Sequence, residues 1–172
     1  MRAFYHDNDL TRDYREDHDS GKPVSEEQLF KLGLLYYNIK TIDEVNTIAQ
    51  ERDYKNRDQV EISPNSFPPD VLKTKLDSFY AEHIHEDEEI RYVIDGEGFF
   101  DIRSAQDEWI RIKVFANDLI ILPPGIYHRF TLSTKNFIKA IRLFKDEPKW
   151  IPLTRPVDEN QYRQQYLKSI NV

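Results

Sequence analysis

The feature of the sequence that most restricts its fold is a series of short segments with alternating polar and apolar residues, which begins at Tyr80. A period of two is typical of strands, because successive side chains of a strand point to opposite faces of the sheet. Short turn sequences separate the segments, and the predicted strands are 81–86, 89–95, 98–103, 108–114, 118–122, 127–133 and 137–144. Seven short strands at this spacing indicate a small β-barrel or jelly roll.

The residues before this series are predicted to be rich in helices. Ser25-Glu26-Glu27-Gln28 has the capping-box pattern, in which the first and fourth residues satisfy each other's backbone N–H groups at the start of a helix. Further along, apolar residues recur at a helical spacing, and Asp70 is the expected cap of the last helix. The predicted elements are a helix over 25–33, a strand over 34–39, and helices over 42–52 and 70–79.

These patterns predict one domain, because 172 residues is a natural length for a single core. The expected fold class is mainly β with a helical N-terminal third (α+β), that is, a barrel or jelly roll covered by a few helices. Residues 1–79 are the predicted cover, 80–145 the predicted β-barrel core, and 146–172 a tail of strand and helix with an amphipathic stretch from Glu159 to Leu167.

The segment 6–20 carries six acidic residues and two arginines with almost no apolar residue. Such a composition indicates a solvated segment or a loose arm rather than part of a core. We expect the two histidines of this segment, His6 and His18, to be exposed and not to bind metal.

Composition excludes several classes of function. The formal net charge of −7 and the absence of a basic stripe argue against binding to nucleic acid or to anionic membranes. No apolar run approaches the roughly 20 residues that span a bilayer, and the first residues lack the apolar region of a signal peptide. We therefore expect the protein to stay in the cytosol, with the nucleus left open. We also expect a monomer. The chain has no cysteine, so any metal site must use nitrogen and oxygen ligands.

Histidines cluster in two blocks of the predicted barrel. In an extended chain His83 and His85 point to the same side, and Glu89 and Arg91 keep that parity. A second block, Pro123 to His128, supplies a further imidazole. A single histidine on a strand is usually structural, but two at alternate positions with a carboxylate nearby favour a metal site.

The spacing is more specific than the composition. The pattern H-x-H-x3-E-x6-G is followed by P-x-G-x2-H, and together they resemble the two metal-binding motifs of the cupin superfamily. Four segments of the sequence are similar to the corresponding segments of the acireductone dioxygenase family: HIHEDEEIRYVIDGEGFFDIR, DEWIRI, NDLIILPPGIYHRFT and KAIRLF. The likeness extends from GKPVSEEQLFKLGLLYY to Glu147-Pro148, Trp150 and Arg155-Pro156. Asp77, Asn117 and Leu132 depart from the general cupin pattern, and none of them is a candidate ligand.

Four ligands, His83, His85, Glu89 and His128, would leave about two open positions on an octahedral ion. Open positions indicate substrate chemistry, whereas structural zinc sites are closed and usually contain cysteine. Imidazole with carboxylate suits Fe(II), Ni(II), Mn(II) or Co(II).

The resemblance makes the expected chemistry concrete. It implies one Fe²⁺ or Ni²⁺ ion per chain and the oxidation of acireductone by O2 to formate and the 2-keto acid precursor of methionine, a step of methionine salvage. It further implies that the nickel form releases carbon monoxide in an off-pathway reaction. The alternatives are a cupin dioxygenase that acts on another substrate, such as a thiol or a flavonol, and a cupin without enzymatic activity that binds a small molecule or a protein.

The remaining candidates concern the substrate. Arg91 is expected to orient the dianionic enediolate, a role that the resemblance supports; the alternative is a structural bridge to Glu88, Glu97 or Asp101. Arg142 on the last predicted strand faces either the cavity or the solvent. The expected apolar pocket residues are Phe79, Val93, Phe100 and Phe130, of which Phe130 shares the parity of His128.

Overall fold

The computed structural model describes residues 1–146 and 151–172, so Glu147, Pro148 and Trp150 of the family likeness lie outside the described residues. As predicted, the chain is mainly β with a few helices. The strands are β1 (Arg2–His6), β2 (Asp19–Pro23), β3 (Leu35–Asn38), β4 (Asn56–Ile62), β5 (His83–Ile84), β6 (Glu89–Arg103), β7 (Trp109–Phe115), β8 (Asp118–Leu122), β9 (His128–Leu132), β10 (Ile138–Phe144) and β11 (Leu153–Thr154). The helices are α1 (Glu26–Lys31), α2 (Ile42–Glu51), α3 (Pro69–Tyr80) and α4 (Gln161–Ser169).

The long strand β6 organises the sheet, because each half of it pairs with a different set of neighbours. Its first half pairs with β8 and β10, and its second half pairs with β7 and β9, all antiparallel. Beyond these neighbours, β3 and β4 extend one side, while β1 and β2 extend the other through β7. The short β5 lies between β9 and β11. The two histidine blocks therefore come together on β5 and β9.

The prediction of two strands over 89–95 and 98–103 is wrong, because β6 is continuous. Asp95-Gly96 has the sequence of a hairpin turn, but the chain passes through it with a register shift against β10 and with Gly96 at a φ of +79°. The predicted strand over 81–86 is likewise only His83–Ile84.

Helix starts were predictable with one exception. The capping box at α1 is confirmed: the Ser25 hydroxyl oxygen accepts from the Gln28 N–H at 3.1 Å, and the Gln28 side chain accepts from the Ser25 N–H at 2.8 Å. Asp70 is not the cap of α3, which begins at Pro69, a residue type favoured in the first helical turn because its missing N–H has no partner to lose there.

The N-terminal third contains strands as well as helices, and the expectation of a loose arm over 6–20 is wrong. β1 pairs with both β7 and β2, which folds the arm back onto the sheet. His6 and His18 are buried rather than exposed. Arg111 of β7, which is fully buried, donates to the backbone carbonyls of Tyr14 and Glu16 at 2.9 and 2.7 Å and so anchors the arm.

The buried apolar residues form two clusters. The larger one joins the second half of β6 and β7 to α1, α3 and α4, and the smaller one joins α2 to β8 and the first half of β6. Each fully buried Leu or Ile in them stabilises the fold by about 1.5 to 3 kcal/mol relative to an exposed position. Among the described helices, none is both long enough and apolar enough to cross a membrane.

Candidate metal centre

Three imidazoles converge at the meeting point of β5 and β9. His83 and His128 are direct partners in the β5–β9 pair, and His85 follows β5 by one residue, on the side of His83. The ring centroids of these three residues lie 4.4 to 5.1 Å apart, and one nitrogen of each lies within 4.8 Å of the others. All three side chains are buried.

Glu89 brings a carboxylate to the same place. It is the first residue of β6, and its Oε2 lies 2.7 Å from Nε2 of His128 and 3.6 Å from Nε2 of His85. The alternation of the extended chain explains why His83 and His85 share one side, whereas the intervening Ile84 is fully buried. Glu89 reaches the same place because the chain bends at residues 86–87 before β6 begins, and both β5 and β6 pair with β9.

Backbone carbonyls fix the orientation of the three rings. Because a carbonyl oxygen only accepts, each Nδ1 carries a proton, and Nε2 is the atom that faces the site, the arrangement typical of metal-binding histidines. Nε2 of His128 faces the Glu89 carboxylate, a contact that an ion bound to both residues would replace. The Nδ1 atoms of His83, His85 and His128 donate to the carbonyl oxygens of Ala81 (2.6 Å), Ile151 (3.3 Å) and Ile126 (2.9 Å), respectively.

Electrostatics favours the metal-binding protonation states. Burial, reinforced by the neighbouring His128, lowers the pKa of His83 to about 4, and burial also lowers the pKa of His85. Although burial alone raises the pKa of Glu89, the Arg91 guanidinium and His128 hold that pKa well below its ordinary value. At neutral pH the site thus combines uncharged imidazole nitrogen with an ionised carboxylate, a donor set that suits a divalent transition metal.

Arg91 contacts the carboxylate of the set. Its Nη2 lies 3.3 Å from Oε1 of Glu89, and its Nη1 donates to the Ile90 carbonyl at 3.0 Å. The three acids considered as bridge partners are engaged elsewhere: Glu88 with Arg52 and Tyr54, Glu97 with Lys113 and Lys135, and Asp101 with Arg111 and Arg129. Arg91 therefore stands beside the candidate ligand, and its shared parity with Glu89 was the sequence signal for that contact.

The aromatic candidates form one cluster near His128. The ring of Phe130, two residues after His128, lies 4.9 Å from that of Phe100 and 6.3 Å from that of Phe79. Val93 is fully buried in the same apolar cluster. Arg142 is paired with Asp58 of β4 at 2.7 Å, and along β10 it lies opposite Arg91.

Sequence reasoning missed a second cluster, formed by His6, Asp7 and His18. The two rings stack with centroids 4.7 Å apart, and one potential ligand atom from each of the three residues lies within 4.8 Å of the others. Most of the polar atoms here already have hydrogen-bonding partners: Asn8 N–H donates to Nδ1 of His6, Nδ1 of His18 faces Asp7, and the Arg12 guanidinium pairs with Asp7. Nε2 of His6 is buried without a partner among the described residues. The cluster is therefore a hydrogen-bonded anchor of the arm, and a cation there would compete with Arg12.

The family model and the similar proteins of known family agree with one another. The model of the ARD/ARD′ family matches residues 2–152. The chain is 54% identical over 172 residues to an acireductone dioxygenase of Yarrowia lipolytica, with 99% of each chain covered, and 55% identical to one of Tuber melanosporum, with 99% of this chain and 98% of the other covered.

A solved structure supports the fold. The acireductone dioxygenase from Bacillus anthracis, described with a cadmium ion in its active centre, superimposes with a TM-score of 0.70 over 88% of this chain and 96% of that one, at 21% identity. The predicted cupin-type fold class is thereby confirmed.

Proposed function

Because this chain belongs to the ARD/ARD′ family and is a dioxygenase enzyme, we propose that it binds one Fe²⁺ or Ni²⁺ ion through His83, His85, Glu89 and His128. With iron it would oxidise acireductone with O2 to formate and the 2-keto acid precursor of methionine, a step of methionine salvage. With nickel it would release carbon monoxide off that pathway. The observation that carries the proposal is the convergence of three imidazoles and one ionised carboxylate in a buried site.

The protein's part in this reaction is to bind and orient. A bound divalent ion would supply Lewis-acid chemistry and keep the enediolate electron-rich toward O2. The guanidinium of Arg91, placed beside Glu89, would bind and orient the anionic oxygens of the substrate. Phe79, Phe100 and Phe130, with Val93, would form the apolar wall around the methylthio end.

The ligand assignment is tested by metal content. We expect about one ion per chain, and replacing His83, His85 or His128 by Ala should empty or weaken the site, because each loss removes a quarter of the proposed donor set. Metal analysis of the purified variants, followed by O2 uptake with acireductone, measures both effects. His6→Ala serves as a control for the loss of a buried histidine elsewhere, and full metal content in all three site variants would refute the assignment.

Metal identity is expected to change the products. The apoprotein should be reconstituted separately with Fe²⁺ and Ni²⁺, and the gas phase analysed for carbon monoxide after turnover. Only the nickel form should release it. The same product mixture from both forms would contradict this part of the proposal.

The monomeric state and the cytosolic or nuclear location stay predictions. Size-exclusion chromatography with light scattering tests the first, and cell fractionation tests the second.

A further inference from the structure

The backbone of Gly125 connects the two ligand blocks to the C-terminal helix. Its N–H donates to the backbone carbonyl of His85 at 3.0 Å, and the chain reaches His128 three residues later. Its carbonyl accepts a hydrogen bond from Nη1 of Arg163 on α4 at 3.1 Å. A movement of α4 would therefore be transmitted to both blocks.

The contact between α4 and this turn is close. Gly125 has a φ of +82°, in the left-handed region, and a Cβ at this position would lie 2.3 Å from the backbone oxygen of Tyr162. Only glycine lets the turn and the first turn of α4 approach so closely. At the start of the same helix, the Asn160 side chain donates to Glu86, the residue after His85, at 3.0 Å.

Arg163 also holds the residue that precedes His128. Its guanidinium lies over the ring of Tyr127, 4.3 Å from the centroid, and that of Arg155 lies 4.5 Å from the same centroid. The Tyr127 hydroxyl oxygen accepts from the Val157 N–H at 2.9 Å. The side chain of Tyr127, the residue before His128, is thus held by residues from the C-terminal end of the chain.

The burial of the Arg163 guanidinium costs folding free energy, which is not expected of a residue that only stabilises the fold. Its side chain is partly buried, which lowers the pKa of the guanidinium, and Nε is buried without a hydrogen-bonding partner among the described residues. Within the same residues it forms no salt bridge, and its side-chain hydrogen bond goes to Gly125. A guanidinium that is desolvated without a carboxylate partner opposes folding, which points to a role in the site.

We propose that Arg163 is a positioning residue of the metal centre: through the Gly125 carbonyl and the Tyr127 ring it fixes His128 relative to His85. This inference rests on the proposed function, because it assumes that both histidines bind the ion. Loss of such a partner outside the ligand set typically weakens metal binding about 10- to 100-fold.

The test compares the rate at which Ni²⁺ leaves the loaded protein for a chelator in the wild type and three variants. Arg163→Met keeps an apolar stem near Tyr127 but cannot donate to Gly125, so Ni²⁺ should leave about 10- to 100-fold faster. Arg163→Lys retains a donor and a charge and should restore part of the slow release. Tyr166→Phe removes the hydrogen bond from α4 to the Leu32 carbonyl, 2.8 Å long, without touching Gly125.

Tyr166→Phe is the control for loosened docking of α4. It should lower the melting temperature but leave Ni²⁺ release within about twofold of the wild type. Equal acceleration in Tyr166→Phe and Arg163→Met, or no acceleration in Arg163→Met, would overturn the positioning role alone. Absence of His128-dependent Ni²⁺ binding in the wild type would instead overturn the proposed function together with this inference.

Discussion

The buried His6 should make the stability of the protein depend on pH. Burial, reinforced by Arg111, lowers its pKa to about 4 from an ordinary value of 6.5. Between these values the unfolded chain binds more protons at this residue than the folded one. The free energy of unfolding should therefore fall as pH is lowered from 6.5 to 4, by up to about 3 kcal/mol from this residue, and should not depend on His6 at higher pH.

The comparison variant is His6→Phe, which keeps a flat ring against His18 but does not titrate. Urea unfolding of both proteins at several pH values isolates the contribution of His6, because all other groups titrate in both. We expect a shallower decline in the variant. Parallel curves for the two proteins would show that His6 is not the group responsible.

Arg91 should affect turnover more than folding. Arg91→Lys keeps a charge near Glu89 but loses the planar group that can bind two oxygens at once, so turnover should fall 10- to 100-fold, about 1.4 to 2.8 kcal/mol in the barrier. Arg142→Lys is the matched control, since Arg142 lies opposite on β10 and pairs with Asp58. Its turnover should change less than about threefold. An Arg91→Ala variant that is destabilised yet fully active would end the substrate role.

The candidate metal ligands could be predicted from the sequence, whereas the buried histidines that hold the arm, His6 and His18, could not. His83, His85, Glu89 and Arg91 are close in the chain, and strand alternation relates His83 to His85 and Glu89 to Arg91. The bend at residues 86–87, which separates the two pairs, was not predicted. His6 and His18 have no such signal, because their burial depends on β1 pairing with β7, a partner about a hundred residues away. Long-range pairing of this kind leaves no local pattern.

Among the secondary-structure elements, β6 depends most on a single residue. Gly96 has a φ of +79°, and a Cβ there would lie 2.3 Å from the backbone oxygen of Phe137. The left-handed backbone conformation alone costs a residue other than glycine about 1 to 2 kcal/mol. Gly96→Ala should lower the free energy of unfolding by more than this, because a backbone atom must also move. Urea unfolding measures the loss.

Gly21→Ala separates the two causes. Gly21 has a similar φ of +84°, but a Cβ at that position would have no other atom within 4 Å. We therefore expect only the backbone cost in this variant. An equal loss in both variants would mean that the approach of Phe137 is not what Gly96 serves.

The same glycine explains why β6 was predicted as two strands. Asp-Gly between alternating residues is a strong local signal for a hairpin. Here Asp95-Gly96 lies where the strand changes neighbours from β8 to β7, so the bend continues the strand instead of reversing it. The Asp-Gly turn signal agrees with the left-handed conformation of Gly96 but does not predict the direction of the chain that follows.

For the molecule as a whole, the buried pair of Arg111 and Asp101 joins the arm to the sheet. Arg111 donates to both carboxylate oxygens of Asp101, at 2.8 and 3.0 Å, and to two arm carbonyls. Arg111→Met should cost about 3 to 5 kcal/mol, because it leaves a buried carboxylate with one cation, Arg129, and two carbonyls without a donor.

Limited proteolysis should then cut the arm of Arg111→Met before the rest of the chain, at the sites freed near Tyr14 and Glu16. Arg57→Met, an exposed arginine on β4, is the control and should leave the cleavage pattern unchanged. Uniform cleavage throughout Arg111→Met would show global unfolding in place of local release of the arm.

The pairing of β1 with β7 also has a consequence for the order of folding. Arg2 lies opposite Lys113, so β1 emerges from the ribosome about a hundred residues before its neighbour and closes a long loop when it joins. Pairs such as β6 with β7 close much shorter loops and are expected to form earlier. Amide protons of β1 should therefore exchange with solvent through partial opening of the native state, well before those of β6.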